Sequence, residues 1–270
     1  MQWSPHVQLA YEVHPAVTAN SQRQLEARAD ARRITWTGPL LLVTGRSAFI
    51  LAGQALLALI LLLRGRHNVW LAAAPWWTVY GTLADLGCLA LLWKNTRAEG
   101  IAIRDLVGPI RFEYGRDFFL GIGILLAVFP FFVAAGLLAC RWLYGAYQVD
   151  LYPGILSRRV LPLWAVIYSR CIWWVIWSAT EEITYAGYVL PRIQALSRRT
   201  WVAVVGVGFW WTIQHPFLPF IVDWRCFLWR FLAFLPGIIV LTLIYLRIRR
   251  LAPLILAHWV MDIVATPMTM

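Results

Sequence analysis

Charge is scarce in this chain, and negative charge scarcest. Only 14% of its 270 residues are charged, against 61% hydrophobic, and the mean hydropathy is +0.65. An ordinary soluble domain carries about a quarter of its residues charged, so that class is excluded. Several apolar runs reach the ~20 residues that cross a bilayer as a helix. Lysine is nearly missing: Lys94 is the one lysine among 24 basic residues, which oppose 13 acids and leave a formal charge of +11. In a soluble chain that balance would point to nucleic acid. Here the arginines fall mostly between apolar runs, where cytoplasmic loops carry them, so the expected partner is a lipid bilayer and not nucleic acid. The four cysteines, Cys88, Cys140, Cys171 and Cys226, have no CxxC spacing. That excludes a zinc ribbon or a disulfide framework and leaves buried free thiols. No apolar core precedes Leu40, so the first residues do not read as a secretory signal peptide. There is also no internal repeat, which argues against an ion-coupled transporter.

What is present is a series of apolar runs. The pattern predicts an all-α, polytopic membrane bundle of about seven transmembrane helices, at 40–63, 69–93, 118–140, 163–195, 201–215, 226–246 and 253–266. Residues 1–37 form a cytoplasmic polar arm, helical over 21–33, and 38–270 a single transmembrane domain. Arg46 and Asp85 interrupt the first two spans and are expected to pair across them, as stray intramembrane charges do. The stretch 141–162 reads as interfacial. Gly187 and Pro191 should bend the long fourth helix. The N-terminal arm, Lys94 to Arg116, Arg192 to Arg199 and Arg247 to Arg250 are richer in basic residues than the intervening segments. That places the N-terminus in the cytoplasm and the chain in the plasma membrane.

Against this background Glu181-Glu182 stands out, directly after the Trp-rich run 172–177. A carboxylate in hydrocarbon costs several kcal/mol unless paired, hydrated or neutralised. Partners can be found by depth. Glu181 lies 17 residues before Arg198 and His215 lies 17 after it, so both sit ~25 Å along helices that meet in one turn. Measured from Arg249, His258 and Asp262 are 9 and 13 residues in, or ~14 and ~20 Å. Spaced i and i+4, they share a helix face. Two carboxylates, two histidines and an aspartate thus converge on one region of the bundle.

The order Glu181-Glu182-Ile183-Thr184-Tyr185-Ala186-Gly187 with Leu190-Pro191-Arg192, then Trp211-Thr212-Ile213-Gln214-His215, then Pro253 to Asp262, resembles the CAAX protease and bacteriocin-processing (CPBP, or Abi) family of intramembrane endopeptidases. The resemblance covers about the C-terminal third and implies a protease core at about 160–266. It departs at three positions. The family has Arg where this chain has Ala186 and Phe where it has Trp211, and Asp262 occupies a position that is Asn in the prenyl-protein enzymes. Arg192 is the expected substitute for the missing Arg.

Carried onto this chain, the resemblance implies hydrolysis of peptide bonds in a membrane-associated peptide or protein substrate. Glu181 would be the general base and His215 would hold the attacking water. Glu182, about 100° around the helix, would fix the site or the substrate backbone. His258 would stabilise the oxyanion and Asp262 would orient His258. No cofactor is assigned, but Glu181, His215 and His258 are also a possible zinc set with water as fourth ligand. A different class stays open: a non-catalytic membrane scaffold or bacteriocin-immunity protein retaining the protease fold, which Ala186 favours. The orientation is testable directly. A reporter fused after Arg198 or Arg249 should read cytoplasmic and one after Arg159 external; an external signal at Arg249 would overturn the charge argument.

Overall fold

The computed structural model describes residues 20–107, 114–147 and 161–265. Among them there is no strand; an isolated bridge between Phe217 and Phe220 is the only extended pairing. The architecture is an all-α membrane bundle. Helix α1 (Gln22–Asp30) is the polar arm, and α2 (Thr37–Leu63) is the first long apolar helix. The expected span 69–93 is not one helix. Pro75 cannot donate to the ladder, and the chain passes through a short helix, Val69–Ala73, and a 3₁₀ turn, Ala74–Trp76, before α3 (Trp77–Ala98) begins. Helix α4 (Tyr114–Tyr144) runs through Pro130. The interfacial stretch 141–162 falls largely outside the described residues, as do most of the arm before Asn20 and the end of the last span at Thr266.

Helix α5 is a continuous helical run over 163–197 with two widened turns. Its α segments Leu163–Ile167, Trp174–Glu182 and Leu190–Ser197 are separated by π-helical segments Tyr168–Trp173 and Ile183–Val189. Gly187 lies within the second π-helical segment, and Pro191 enters in the first turn of the last α segment. A π turn rotates the side chains that follow it and is frequently found at functional sites. This one begins immediately after Glu182. Arg198, with φ 57°, turns the chain into α6 (Thr200–Ile213). Asp223 caps α7 (Trp224–Ile248), its Oδ1 accepting from the backbone N–H of Arg225 (2.8 Å) and Cys226 (3.4 Å). Helix α8 (Ala252–Ala265) follows Arg249, which also adopts a left-handed conformation.

Helices α2, α4 and α7 are long and apolar enough to cross a membrane; α6 and most of α8 are shorter apolar helices. Helix α4 packs on α7 and α8, α2 on α3, and α6 between α5 and α7. A Cβ at Gly237 would lie 2.4 Å from the Phe132 ring, so a larger residue there would force that ring to move where α7 packs on α4. Leu126 and Leu138 on α4 and Leu62 on α2 are among the exposed apolar side chains, as a lipid-facing surface requires. Trp77, Trp173, Trp174 and Trp177 instead pack into one buried cluster with Ile50 and Tyr80. Cys88, Cys140 and Cys226 are buried thiols, whereas Cys171 is exposed, contrary to the sequence expectation for it.

Near the polar arm the bundle is fastened by charge. Arg192 donates to both oxygens of Glu99, from Nε (2.8 Å) and Nη2 (2.7 Å), and its guanidinium stacks over Tyr188 at 3.9 Å. Arg28 of α1 joins them at 3.3 Å, and Asn20 Nδ2 donates to the Gly187 carbonyl at 2.9 Å. Arg192 is therefore committed to tying α5 to the end of α3. It is not the partner of the glutamates that the sequence had suggested.

Candidate active site

Glu181 and Glu182 end the central α segment of α5, and both are fully buried. Consecutive residues on a helix point about 100° apart, and here the two carboxylates enter two separate clusters. Glu181 faces α6. The indole N–H of Trp211 donates to its Oε1, and the Trp211 ring stacks on Tyr185 with centroids 5.0 Å apart and planes within 7°. His215, one turn beyond Trp211, brings Nε2 to 4.0 Å from the same Oε1. That is too long for a direct hydrogen bond, whose heavy atoms lie at 2.7–3.2 Å. The other ring nitrogen, Nδ1, faces the carbonyl oxygens of Trp211 (3.1 Å) and Thr212 (3.3 Å). Carbonyls only accept, so Nδ1 carries a proton and donates. The His215 ring is clamped from the far side by Phe234 of α7, at 3.8 Å between centroids.

Glu182 faces α8. Its Oε1 lies 3.0 Å from His258 Nδ1, and His258 Nε2 in turn lies 3.4 Å from Asp262 Oδ2. His258 is thus held between two carboxylates, with Asp262 one helical turn along on its own face. The structure brings all five residues expected from the sequence into a Glu181–His215 pair and a Glu182–His258–Asp262 cluster on the adjoining face of α5.

The same geometry bears on zinc. Glu181, His215 and His258 do not present donor atoms to a common point. His258 turns its nitrogens to Glu182 and Asp262, and His215 spends Nδ1 on backbone carbonyls. Among the described residues no group of three His, Cys, Asp or Glu side chains is placed to hold a metal ion. As arranged, these residues do not fit the zinc set.

Two neighbours of Glu181, Trp211 and Arg46, and a residue that holds Arg46, Gln214, do not show as such in the sequence. Trp211 stands where the resembled family has Phe, and its N–H is a donor that Phe lacks. Arg46 of α2 places Nη2 3.0 Å from Asp85 Oδ1, as the expected pairing of the two had it, and also 3.5 Å from Glu181 Oε2. Gln214 accepts from Arg46 Nε at 2.8 Å and from the Tyr185 hydroxyl at 3.3 Å. A cation therefore stands beside Glu181 although residue 186 is a buried alanine.

Residues 161–264 match the family model described as Type II CAAX prenyl endopeptidase Rce1-like. No curated protein and no solved structure matches the chain. The matched segment runs from α5 to α8 and holds the two carboxylate–histidine pairs; Arg46 and Asp85 lie outside it.

The indole contact yields a test. Trp211→Phe keeps the ring stack and removes the donor from a buried carboxylate, so unfolding in mixed detergent micelles should lose about 1.5–3 kcal/mol. Unchanged unfolding would mean that the N–H does not hold Glu181.

Proposed function

We propose that this chain, whose residues 161–264 match the Type II CAAX prenyl endopeptidase Rce1-like family model, is an intramembrane endopeptidase that cleaves membrane-associated peptides or proteins with a water activated by Glu181 and His215. The observation carrying this reading is the 4.0 Å spacing of Glu181 Oε1 and His215 Nε2. Two atoms so spaced can both reach one water oxygen at roughly 2.8 Å. With Nδ1–H donated to carbonyls, a neutral His215 offers Nε2 as an acceptor. A water there gives one hydrogen to His215 and the other to Glu181, and its lone pair is left to attack a peptide carbonyl.

In the reaction the water oxygen bonds to the carbonyl carbon while Glu181 takes the proton. Collapse of the tetrahedral intermediate breaks the C–N bond, and Glu181 returns that proton to the departing amine. The negative oxygen of the intermediate needs a donor placed where the charge develops. His258 is that donor in this reading. Its Nδ1 is anchored on Glu182, while Nε2 makes the longer contact with Asp262, for which an oxyanion can compete. Glu182 thus acts by holding His258, and Asp262 by keeping the ring oriented until the charge appears. No metal step is included, since the residues do not fit one.

Glu181→Gln and His215→Ala should each lower the cleavage rate by roughly 10²–10⁴-fold with the fold retained. Asp262→Asn, which keeps shape and hydrogen bonding, should be milder than Asp262→Ala, which leaves His258 with one carboxylate. A metal chelator should leave the wild-type rate unchanged. Wild-type rates from both the Gln and the Ala variants would sink the hydrolase reading and leave a scaffold.

A further inference from the structure

Arg46 is fully buried, four helices meet on it, and its contacts exceed what a stray intramembrane charge needs. From α2 it reaches Asp85 on α3 (3.0 Å), Glu181 on α5 (3.5 Å) and Gln214 at the end of α6 (2.8 Å), and its guanidinium lies 4.1 Å from the centroid of the Trp177 ring. Gln214 is the residue before His215, so one side chain touches both the carboxylate and the chain segment of the Glu181–His215 pair. Among the described residues no other arginine lies within ion-pair distance of Glu181.

A purely structural role explains this arrangement poorly. A buried ion pair adds little to stability, and packing apolar groups in its place is often neutral or better. One cation between two carboxylates is worse still, because the charges do not balance. The distances indicate another use. A guanidinium free to choose would close on a carboxylate with two parallel hydrogen bonds, occupying both oxygens. Here Asp85 takes the short contact, Gln214 takes Nε, and Trp177 covers the face. Nη2 is thereby held 3.5 Å from Glu181 Oε2, near enough to fix the carboxylate and not so near as to lock it.

We propose that Arg46, pinned by Asp85, is a positioning residue that sets Glu181 against His215 from outside the family-matched segment. The inference rests on the reading of Glu181 as the base, and a misplacement of about 1 Å in such a pair costs on the order of 10²-fold in rate. Asp85 belongs to the device: without it Arg46 closes on Glu181 and occupies the oxygens that must take the proton.

The test uses full-length protein in lipid nanodiscs and a library of quenched fluorescent peptides, each with and without a C-terminal isoprenoid thioether. Arg46→Met combined with Asp85→Asn removes both charges of the pair together, so neither partner is left orphaned, and Glu181 keeps the Trp211 indole N–H, so the double variant should still fold. Its kcat should still fall by about 10²-fold with KM essentially unchanged, and Arg46→Lys should recover part of the loss. A structural pair predicts the reverse: a stable double variant with wild-type kcat, or a loss carried by KM, and either overturns the proposal. Should the double variant not fold, Asp85→Asn alone decides, since a kcat loss at constant KM supports the proposal and a wild-type kcat overturns it. Glu181→Gln runs in parallel. If the wild type cleaves nothing, or Glu181→Gln cleaves as well as wild type, the underlying reading fails and this one with it. If Glu181→Gln is dead while the double variant is fully active, only the role of Arg46 fails.

Discussion

A carboxylate buried within an apolar helical bundle must be given donors or a counter-charge, and the arrangement around Glu181 follows from that requirement. Water that would ordinarily solvate the group is excluded, and the loss is worth several kcal/mol if nothing replaces it. Here the replacements come from two helices: the guanidinium of Arg46 on α2, and the indole N–H of Trp211 on α6 with the approach of His215 at its end. Each replacement brings its own needs. Arg46 requires more anion than Glu181 supplies, so Asp85 is buried on α3 beside it, and Gln214 accepts from its Nε. The first two long helices, which carry no part of the family-matched segment, are thereby bound to the site.

The second pair is built differently. Glu182, one residue on, points into α8 and pairs with His258, whose other side meets Asp262. Two carboxylates around one imidazole make a rigid clamp, and the π turns beginning at Ile183 redirect the side chains that follow so that Tyr185 reaches Trp211. Adjacent glutamates thus serve two helices because a helix rotates each residue by about 100°. The buried tryptophans have a related task. Trp177 covers the guanidinium of Arg46, and Trp173 packs against it in the same aromatic cluster. That cluster packs between α3 and α5.

Much of this was legible in the sequence because it follows from local periodicity. The apolar runs locate the helices, and counting residues from Arg198 and Arg249 brings Glu181, His215, His258 and Asp262 to similar depths. The pairing of Arg46 with Asp85 was legible for the same reason, since an unpaired charge is so costly there. What was not legible depends on how helices rotate and cross. Nothing local says that Arg46 also meets Glu181, which lies 135 positions away. Arg192, nearer in sequence, looked the better candidate, but it faces Glu99 one helix over. The donor role of Trp211 leaves no local sign, because a donor matters only once something accepts from it. The break of the second span was signalled by Pro75, and the apolar pattern running through it hid the signal. The widened turns of α5 leave no comparable trace, since α and π ladders accept the same residues.

The central claim is that a water held by Glu181 and His215 breaks a peptide bond within the bundle. The most direct measurement is mass spectrometry of peptides incubated with nanodisc-embedded protein in ¹⁸O-labelled water. The account predicts new C-termini that each carry one heavy oxygen, from wild-type protein and not from Glu181→Gln. Peptides left intact by the wild type, or heavy C-termini appearing equally with Glu181→Gln, would contradict it.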